Sequence, residues 1–413
     1  MFAKPFHIVK LAVLLFVFSI QGLTTVKAQY LEMPPNRKKI NIPFHMVRNM
    51  IIVRTTIDGK GPYNFILDSG VGIIIITDPA LADSVGIKSR RTIKLTGLGE
   101  GESIEAQILA SIHFDINGVE GKGLTAAALK KDMFNLSGYV GMPIHGLIGY
   151  DFFSSLAVKF NFVDSTLTVG RTGSFKGLRK GYKIPITIEQ NKPYMHARVR
   201  VDDQHEMDTK LVIDFGAGHP LMLENLIEKD LLPAKHIIGN LGIGLNGPVV
   251  GYLSRIKELD IGKYRFKEVI TSFPLDDSVR QQMMSVSRDG NLGLNILKRF
   301  TLIMDYQQEA LYLKPALDFK KPFEHDMSGM EYFAEGQELN AIIVNRIEPG
   351  SAADIAGIEP GDRIIAINFK YVSDISIQDI DNIFRSSPDR SLLIDVLRGK
   401  KRYRFILTLK RRI

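Results

Sequence analysis

Two stretches of this chain read alike: Ile66-Leu67-Asp68-Ser69-Gly70 and Val212-Ile213-Asp214-Phe215-Gly216. Each sets an acidic residue and a glycine directly after apolar residues of strand character. Before the first, Ile51-Ile52-Val53-Arg54-Thr55-Thr56-Ile57 has strand composition, and Asp58-Gly59-Lys60-Gly61 supplies turn residues. Before the second, Met195-His196-Ala197-Arg198-Val199-Arg200-Val201 alternates apolar and polar side chains, and a polar turn runs from Asp202 to His205. Both copies are strand, turn, strand, Asp-x-Gly.

The parallel continues downstream. Gly97-Leu98-Gly99-Glu100-Gly101 follows Asp68, and Gly242-Ile243-Gly244-Leu245-Asn246-Gly247 follows Asp214. Leu147-Ile148-Gly149 then pairs with Asn291-Leu292-Gly293, at offsets of 81 (149 − 68) and 79 (293 − 214) from the acidic residues. Strands ending in a turn aspartate close the copies, Val158 to Asp164 against Phe300 to Asp305, followed by Leu167-Thr168-Val169 and Leu311-Tyr312-Leu313. This order predicts an internal duplication: a mostly β chain with two lobes, residues 29–175 and 176–318, joined through the basic, aperiodic segment Arg171 to Gly181. Gly242, Gly244 and Gly247 also have dinucleotide-fingerprint spacing, but Pro248-Val249-Val250-Gly251 continues as a hairpin return, without the helix that a pyrophosphate site needs.

Asp followed by Gly is ordinary turn vocabulary. A carboxylate at the end of a buried strand, however, needs hydrogen bonds or a partner charge. If the two copies pack about an approximate two-fold axis, Asp68 and Asp214 face each other, and two adjacent carboxylates hold one proton between them. Such a pair can activate a water and protonate a carbonyl oxygen. Over roughly residues 40–315 the chain resembles the retropepsin and pepsin superfamily, whose motif is two hydrophobic residues, Asp, Thr or Ser, and Gly, completed later by two hydrophobic residues and Gly. The resemblance implies catalytic roles for Asp68 and Asp214, supporting turns at Ser69, Gly70, Phe215 and Gly216, and flaps around Gly97, Gly99 and Gly101 and around Gly242 and Gly244. It also implies an endopeptidase that acts on peptide or unfolded protein without a cofactor or metal. Phe215 departs from the pattern, because it lacks the hydroxyl with which the family ties its two active-site turns together. The alternative is a catalytically impaired peptide-binding or regulatory protein of the cell envelope.

Beyond a polar stretch from Lys314 to Asp326, the chain becomes strand-like at Asn340 to Ile347 and turns at Glu348-Pro349-Gly350. A short helix follows from Ser351 to Ala356, stopped at Gly357, and Ser376 with Asp379 three positions on caps a second helix. The stretches Ile347-Glu348-Pro349-Gly350-Ser351-Ala352-Ala353 and Ala356-Gly357-Ile358-Glu359-Pro360-Gly361-Asp362 closely resemble a bacterial-type PDZ domain. This small α/β module is expected over residues 326–413. Such domains add a peptide as an extra strand, so the resemblance assigns peptide or partner binding to Gly329, Met330, Glu331, Tyr332 and Phe333. Recruiting substrate, docking a partner and bracing the second lobe are all compatible with it.

Composition excludes whole classes of chemistry. The 413 residues contain no Cys and no Trp, which rules out disulfides, thiolate metal sites and cysteine nucleophiles. The net charge of +8 is dispersed, with short basic runs only at Arg37-Lys38-Lys39 and Lys410-Arg411-Arg412 and no aromatic interleaving, so no nucleic-acid partner is expected. His145, His196, His205 and His219 lack metal-ligand spacing. At the N-terminus, Lys4 and Lys10 precede the apolar run Leu11 to Ile20, and Val26-Lys27-Ala28 offers a cleavage site. Residues 1–28 therefore read as a signal peptide, with an uncleaved anchor as the alternative, and a periplasmic or otherwise extracytoplasmic location is expected. No later segment has the length and hydrophobicity of a membrane span.

Overall fold

A computed structural model describes residues 30–85, 91–95, 104–224, 226–227, 229–244, 247–275 and 286–413. The expected signal segment, residues 1–28, and the glycines Gly97, Gly99 and Gly101 lie outside the described residues. The described chain is predominantly β, with a β-rich C-terminal domain whose core is separate.

Strand formation follows burial periodicity. In Lys192–Arg200 the side chains of Met195, Ala197 and Val199 are buried while His196 and Arg198 face solvent, the alternation of a half-buried strand. Gly146–Ile148 and Ile74–Ile76 are buried throughout, because both faces of these central strands are covered. Two residues with positive φ, Asn117 and Gly118, turn the long hairpin Ile104–Ile116 and Val119–Leu129.

The first eight-stranded sheet runs in the order His45–Val47, Met50–Ile57, Lys60–Leu67, Gly146–Ile148, Ile74–Ile76, Val119–Leu129, Ile104–Ile116, Arg91–Leu95. The second runs Thr187–Glu189, Lys192–Arg200, Glu206–Asp214, Gly290–Gly293, Leu221–Leu223, Tyr264–Pro274, Gly247–Ile261, His236–Gly244. Strand for strand, the second sheet repeats the order of the first.

A third, six-stranded sheet joins the two halves: Lys39–Pro43, Thr166–Arg171, Leu156–Asn161, Phe300–Asp305, Ala310–Pro315, Tyr182–Pro185. Its central seam pairs Val158 with Met304 and Phe160 with Leu302, antiparallel. One continuous hydrophobic cluster runs through all three sheets, from Leu31 to Phe323, and takes in Ile413 at the end of the chain.

In the C-terminal domain the path is Met330–Glu335, Ala341–Ile347, Arg363–Ile367, Ser391–Arg398, Lys401–Thr408. Ser351 caps the helix Ala352–Ala356, and Gly357 ends it at φ 85°. Ser376 and Asp379 form a reciprocal capping box on the helix Ile377–Phe384. The side chains of Ile380 and Phe384 are fully buried, so the apolar face of this helix belongs to the core. Met330–Glu335 is an edge strand, one side of which pairs with Ala341–Ile347.

Candidate active site

Both Asp-x-Gly turns are built the same way. Lys60–Leu67 delivers Asp68 and runs parallel to Gly146–Ile148, with Leu67 opposite Ile148. Glu206–Asp214 runs parallel to Gly290–Gly293, with Asp214 opposite Gly293. The glycine that completes each motif sits where no side chain fits. A Cβ on Gly149 would lie 2.1 Å from the Asp68 carbonyl oxygen and 2.4 Å from that of Val71, and one on Gly293 would lie 2.0 Å from the His219 carbonyl oxygen. Backbone on backbone leaves no room to yield. We expect Gly149→Ala to cost ~1–3 kcal/mol of stability, read by denaturant unfolding; a variant as stable as the parent would show that the turn tolerates displacement.

The turns bring the two carboxyls into one half-buried pocket, where the glycine of each turn packs against the opposite carboxyl. A Cβ on Gly216, two residues past Asp214, would fall 2.2–2.5 Å from the Asp68 carboxyl, and one on Gly70 would fall 3.3 Å from both Asp214 oxygens. Their hydrogen bonding is unequal. Asp68 Oδ1 accepts the Gly70 N–H at 2.7 Å. Asp214 Oδ1 accepts the N–H groups of Gly216 and Ala217 at 2.9 and 3.1 Å, and its Oδ2 accepts Asn291 Nδ2 at 2.9 Å. Burial, and then the charge of Asp214, push the Asp68 carboxyl up to about 8.

The link between the turns is half polar and half apolar. Ser69 Oγ, fully buried, donates to the Ile213 carbonyl at 2.6 Å and accepts the Phe215 N–H at 3.0 Å. Where a hydroxyl would make the reciprocal bonds, the fully buried Phe215 ring stacks on Phe160 at 4.5 Å and on Phe153 at 5.7 Å. Packing replaces the missing polar half.

Two hairpin tips cross to the opposite turn. Asn49 Nδ2 donates to the Gly218 carbonyl at 2.8 Å, and Asn191 Nδ2 donates to that of Gly72 at 3.4 Å. Each Asn is the second of two left-handed residues, after Arg48 and Gln190 respectively, as a two-residue hairpin turn requires.

Three residues of this neighbourhood escaped a catalytic reading of the sequence. Asn291 pairs opposite Val212 as Leu147 pairs opposite Ile66, and that difference between the two motifs is the signal that marks it. His219 Nε2 bonds Asn291 Oδ1 at 2.8 Å, and burial pushes its imidazole below the ordinary range, leaving it a neutral partner. Lys192 follows Asn191 as Met50 follows Asn49; burial pushes its ammonium down, while the charges of Asp214 and Asp68 act against that. Nothing in its local sequence marks it. Arg288 and Glu224 form a buried pair at 2.7 Å nearby, electrostatically coupled to Lys192.

Of the expected flap residues, Gly242 and Gly244 lie on His236–Gly244, which pairs as a hairpin with Gly247–Ile261, so this glycine run does not open a helix. In the C-terminal domain, Gly329 (φ 75°) packs where a Cβ would sit 2.2 Å from Ser351 Cβ. Met330 and Tyr332 are buried, Phe333 is half-buried, and Glu331 binds Arg346 at 2.8 Å and Asn240 of the glycine-rich hairpin at 3.1 Å. Among the described residues no group of three His, Cys, Asp or Glu could hold a metal, and no helix is long and apolar enough to cross a membrane.

Residues 53–152 match the aspartyl protease family, and residues 343–398 match the PDZ domain family. The chain carries an aspartyl-protease-family domain and a C-terminal PDZ domain. The stretch matched to the protease family contains Asp68 and ends before Asp214. A 62-residue alignment at 37% identity relates the chain to a probable periplasmic serine endoprotease DegP-like of Chlamydia pneumoniae, covering 15% of this chain and 12% of that protein's length. The aspartic proteinase from Irpex lacteus superposes over 68% of this chain and 99% of its own, with a TM-score of 0.45 and 14% sequence identity.

Proposed function

We propose that this protein is an aspartic-type endopeptidase that cuts peptide or unfolded-protein chains outside the cytoplasm. In this reading residues 29–175 and 176–318 are duplicated, pseudo-symmetric lobes, residues 326–413 are the PDZ domain, and residues 1–28 direct export. The observation that carries it is a pair of half-buried carboxyls brought together by the two turns, one richly hydrogen-bonded and the other pushed up to about 8. That inequality supports a division of labour. Asp214, as carboxylate, takes a proton from a water held between the pair while the water oxygen bonds the peptide carbon. Asp68 gives its proton to the carbonyl oxygen. As the tetrahedral intermediate collapses, the C–N bond breaks, the departing nitrogen takes the proton from Asp214, and the carbonyl oxygen returns its own to Asp68.

Two pH effects follow. The singly protonated pair survives neutral pH, so kcat/KM is expected to hold to about pH 7 and to fall as the pH passes about 8. Asn291→Leu, which copies Leu147, removes a donor from the pair's shared charge. It should cut kcat at least ~10-fold and move the acidic limb upward; an unchanged profile would make Asn291 mere packing.

The deciding experiment incubates pure protein with a diverse peptide pool from acidic to neutral pH, beside Asp68→Asn and Asp214→Asn. Cleavage lost in both variants supports the dyad. Cleavage kept in either moves the chemistry elsewhere, and a silent wild type favours the non-catalytic peptide-binding alternative.

A further inference from the structure

A PDZ groove lies between an edge strand and a helix, and it receives an added strand. Here those elements are Met330–Glu335 and Ile377–Phe384, and the space between them is occupied by the protein's own protease-family domain. Arg48, at the tip of the first hairpin, enters with its side chain 7% exposed. Its Nη2 meets Asp381 Oδ1 at 2.9 Å, and its Nε lies 3.1 Å from Asp381 Oδ2. Its Nη1 donates to the carbonyls of Tyr139 at 2.8 Å and Tyr332 at 3.2 Å, and its backbone N–H donates to Gln378 Oε1 at 2.6 Å.

The guanidinium lies 4.6 Å from the centre of the Tyr139 ring and 4.7 Å from that of Tyr332, within cation–π range of both. The Tyr332 hydroxyl completes the set by donating to Asp381. Behind Arg48, the helix Leu136–Val140 lies against the same strand: a Cβ on Gly138 would meet the Ala334 carbonyl oxygen at 2.8 Å, and one on Gly141 would meet Ile377 Cγ2 at 3.2 Å.

The end of the groove where a chain terminus would bind is satisfied from within. Asp326 Oδ1 accepts the N–H groups of Ser328 and Gly329 at 3.0 and 2.8 Å, and Ser328 Oγ accepts the Met330 N–H at 3.1 Å. An incoming carboxylate would find those donors spent and the half-buried Asp326 carboxyl beside them. What the groove offers instead is Asp381 bonded to Tyr332, to which the protease-family domain adds Tyr139, an anionic, aromatic socket suited to a guanidinium and poorly matched to an ammonium.

We propose that this groove is an arginine-reading docking site for an internal segment, that its resident ligand is the Arg48 turn of the same chain, and that an extended arginine-bearing peptide competes with it. The tether makes the resident hard to displace, because a linked ligand acts at an effective concentration in the millimolar range. Docking also reaches the dyad. Asn49, the next residue, holds the Gly218 carbonyl four residues past Asp214 and accepts Lys298 Nζ at 2.7 Å. Withdrawal of Arg48 therefore pulls on the second active-site turn, and groove occupancy and catalytic geometry are joined through two adjacent side chains.

The test uses the full chain carrying Asp68→Asn, so that no probe is cut, and a synthetic peptide copying residues 45–50, acetylated and amidated. Adding Arg48→Ala should tighten peptide binding in calorimetry at least tenfold relative to Asp68→Asn alone. Replacing the arginine of the peptide by lysine should weaken it about tenfold, and Asp381→Asn should abolish it. Hydrogen exchange should show Leu136–Val140 and Ile377–Phe384 losing protection in the Arg48→Ala chain while Ser391–Arg398 keeps its own. That result establishes that the domain is still folded, and the milder Arg48→Lys should fall between the two. Equal affinity with and without Arg48, unchanged protection of both helices, or tighter binding of an arginine-free peptide with a free carboxylate would each overturn the proposal. None of these readouts depends on cleavage, so they stand apart from the fate of the endopeptidase reading.

Discussion

Asp68→Asn is expected to reduce peptide cleavage by at least ~10²–10⁴-fold while making the folded protein more stable at pH 8. The two effects have one cause. Asp68 sits half-buried beside Asp214, and desolvation together with that charge pushes its carboxyl from 3.8 up to about 8. The folded state therefore keeps a proton that the unfolded chain releases near pH 4. The stability contributed by neutral Asp68 is fully present below pH 4 and is lost as the pH rises towards 8. Asparagine is neutral throughout and can still donate to Asp214, so the loss disappears. It cannot give up a proton to a carbonyl oxygen, so catalysis disappears as well. Melting scans at pH 4 and pH 8 should show the variant matching the parent at the lower pH and exceeding it by ~2–4 °C or more at the higher. A variant less stable than the parent at pH 8 would mean that Asp68 is ionised in the fold, and the proposed acid role would fall with it.

Phe215→Ala is expected to cost ~3–5 kcal/mol of stability. Its ring is fully buried, stacked on Phe160 and Phe153, and Phe153 continues onto Tyr306 at 5.3 Å. Truncation opens a cavity in the seam between the two halves, directly beneath both Asp turns, and cleavage should fall with stability because the carboxyls lose their fixed spacing. Phe215→Thr is the sharper comparison. It restores a hydroxyl at the position where the resembled family has one, yet leaves most of the same cavity. A loss of stability similar to that of Phe215→Ala, without a gain in rate, is the expected result. If threonine instead left stability intact and raised kcat, the aromatic column would be incidental.

Much of this architecture was legible in the linear order of residues. Apolar runs ending in Asp68 and Asp214, followed at offsets of 81 and 79 by Gly149 and Gly293, specify strands and turns through local physics: alternation, turn residues and glycines where backbones touch. The same holds for the C-terminal domain, where Ser351, Gly357, Ser376 and Asp379 cap helices by rules that reach only a few residues along the chain. Phe215, too, could be read as the place where a hydrogen bond was missing.

What fills that place was not legible, since Phe153 and Phe160 come from the other half and meet Phe215 only across the shared sheet. Asn291 reaches Asp214 through the parallel pairing of two strands whose partners lie 79 positions apart, and His219 joins them through Asn291. The pairing of Arg48 with Asp381 spans 333 positions, and nothing near either residue announces the other. Local sequence determined the elements and pointed to the two Asp-x-Gly turns. How unequally the two carboxyls are hydrogen-bonded, what seals the second turn and what sits in the PDZ groove are set by burial and by contacts between distant segments, and these exist only once the chain has closed on itself.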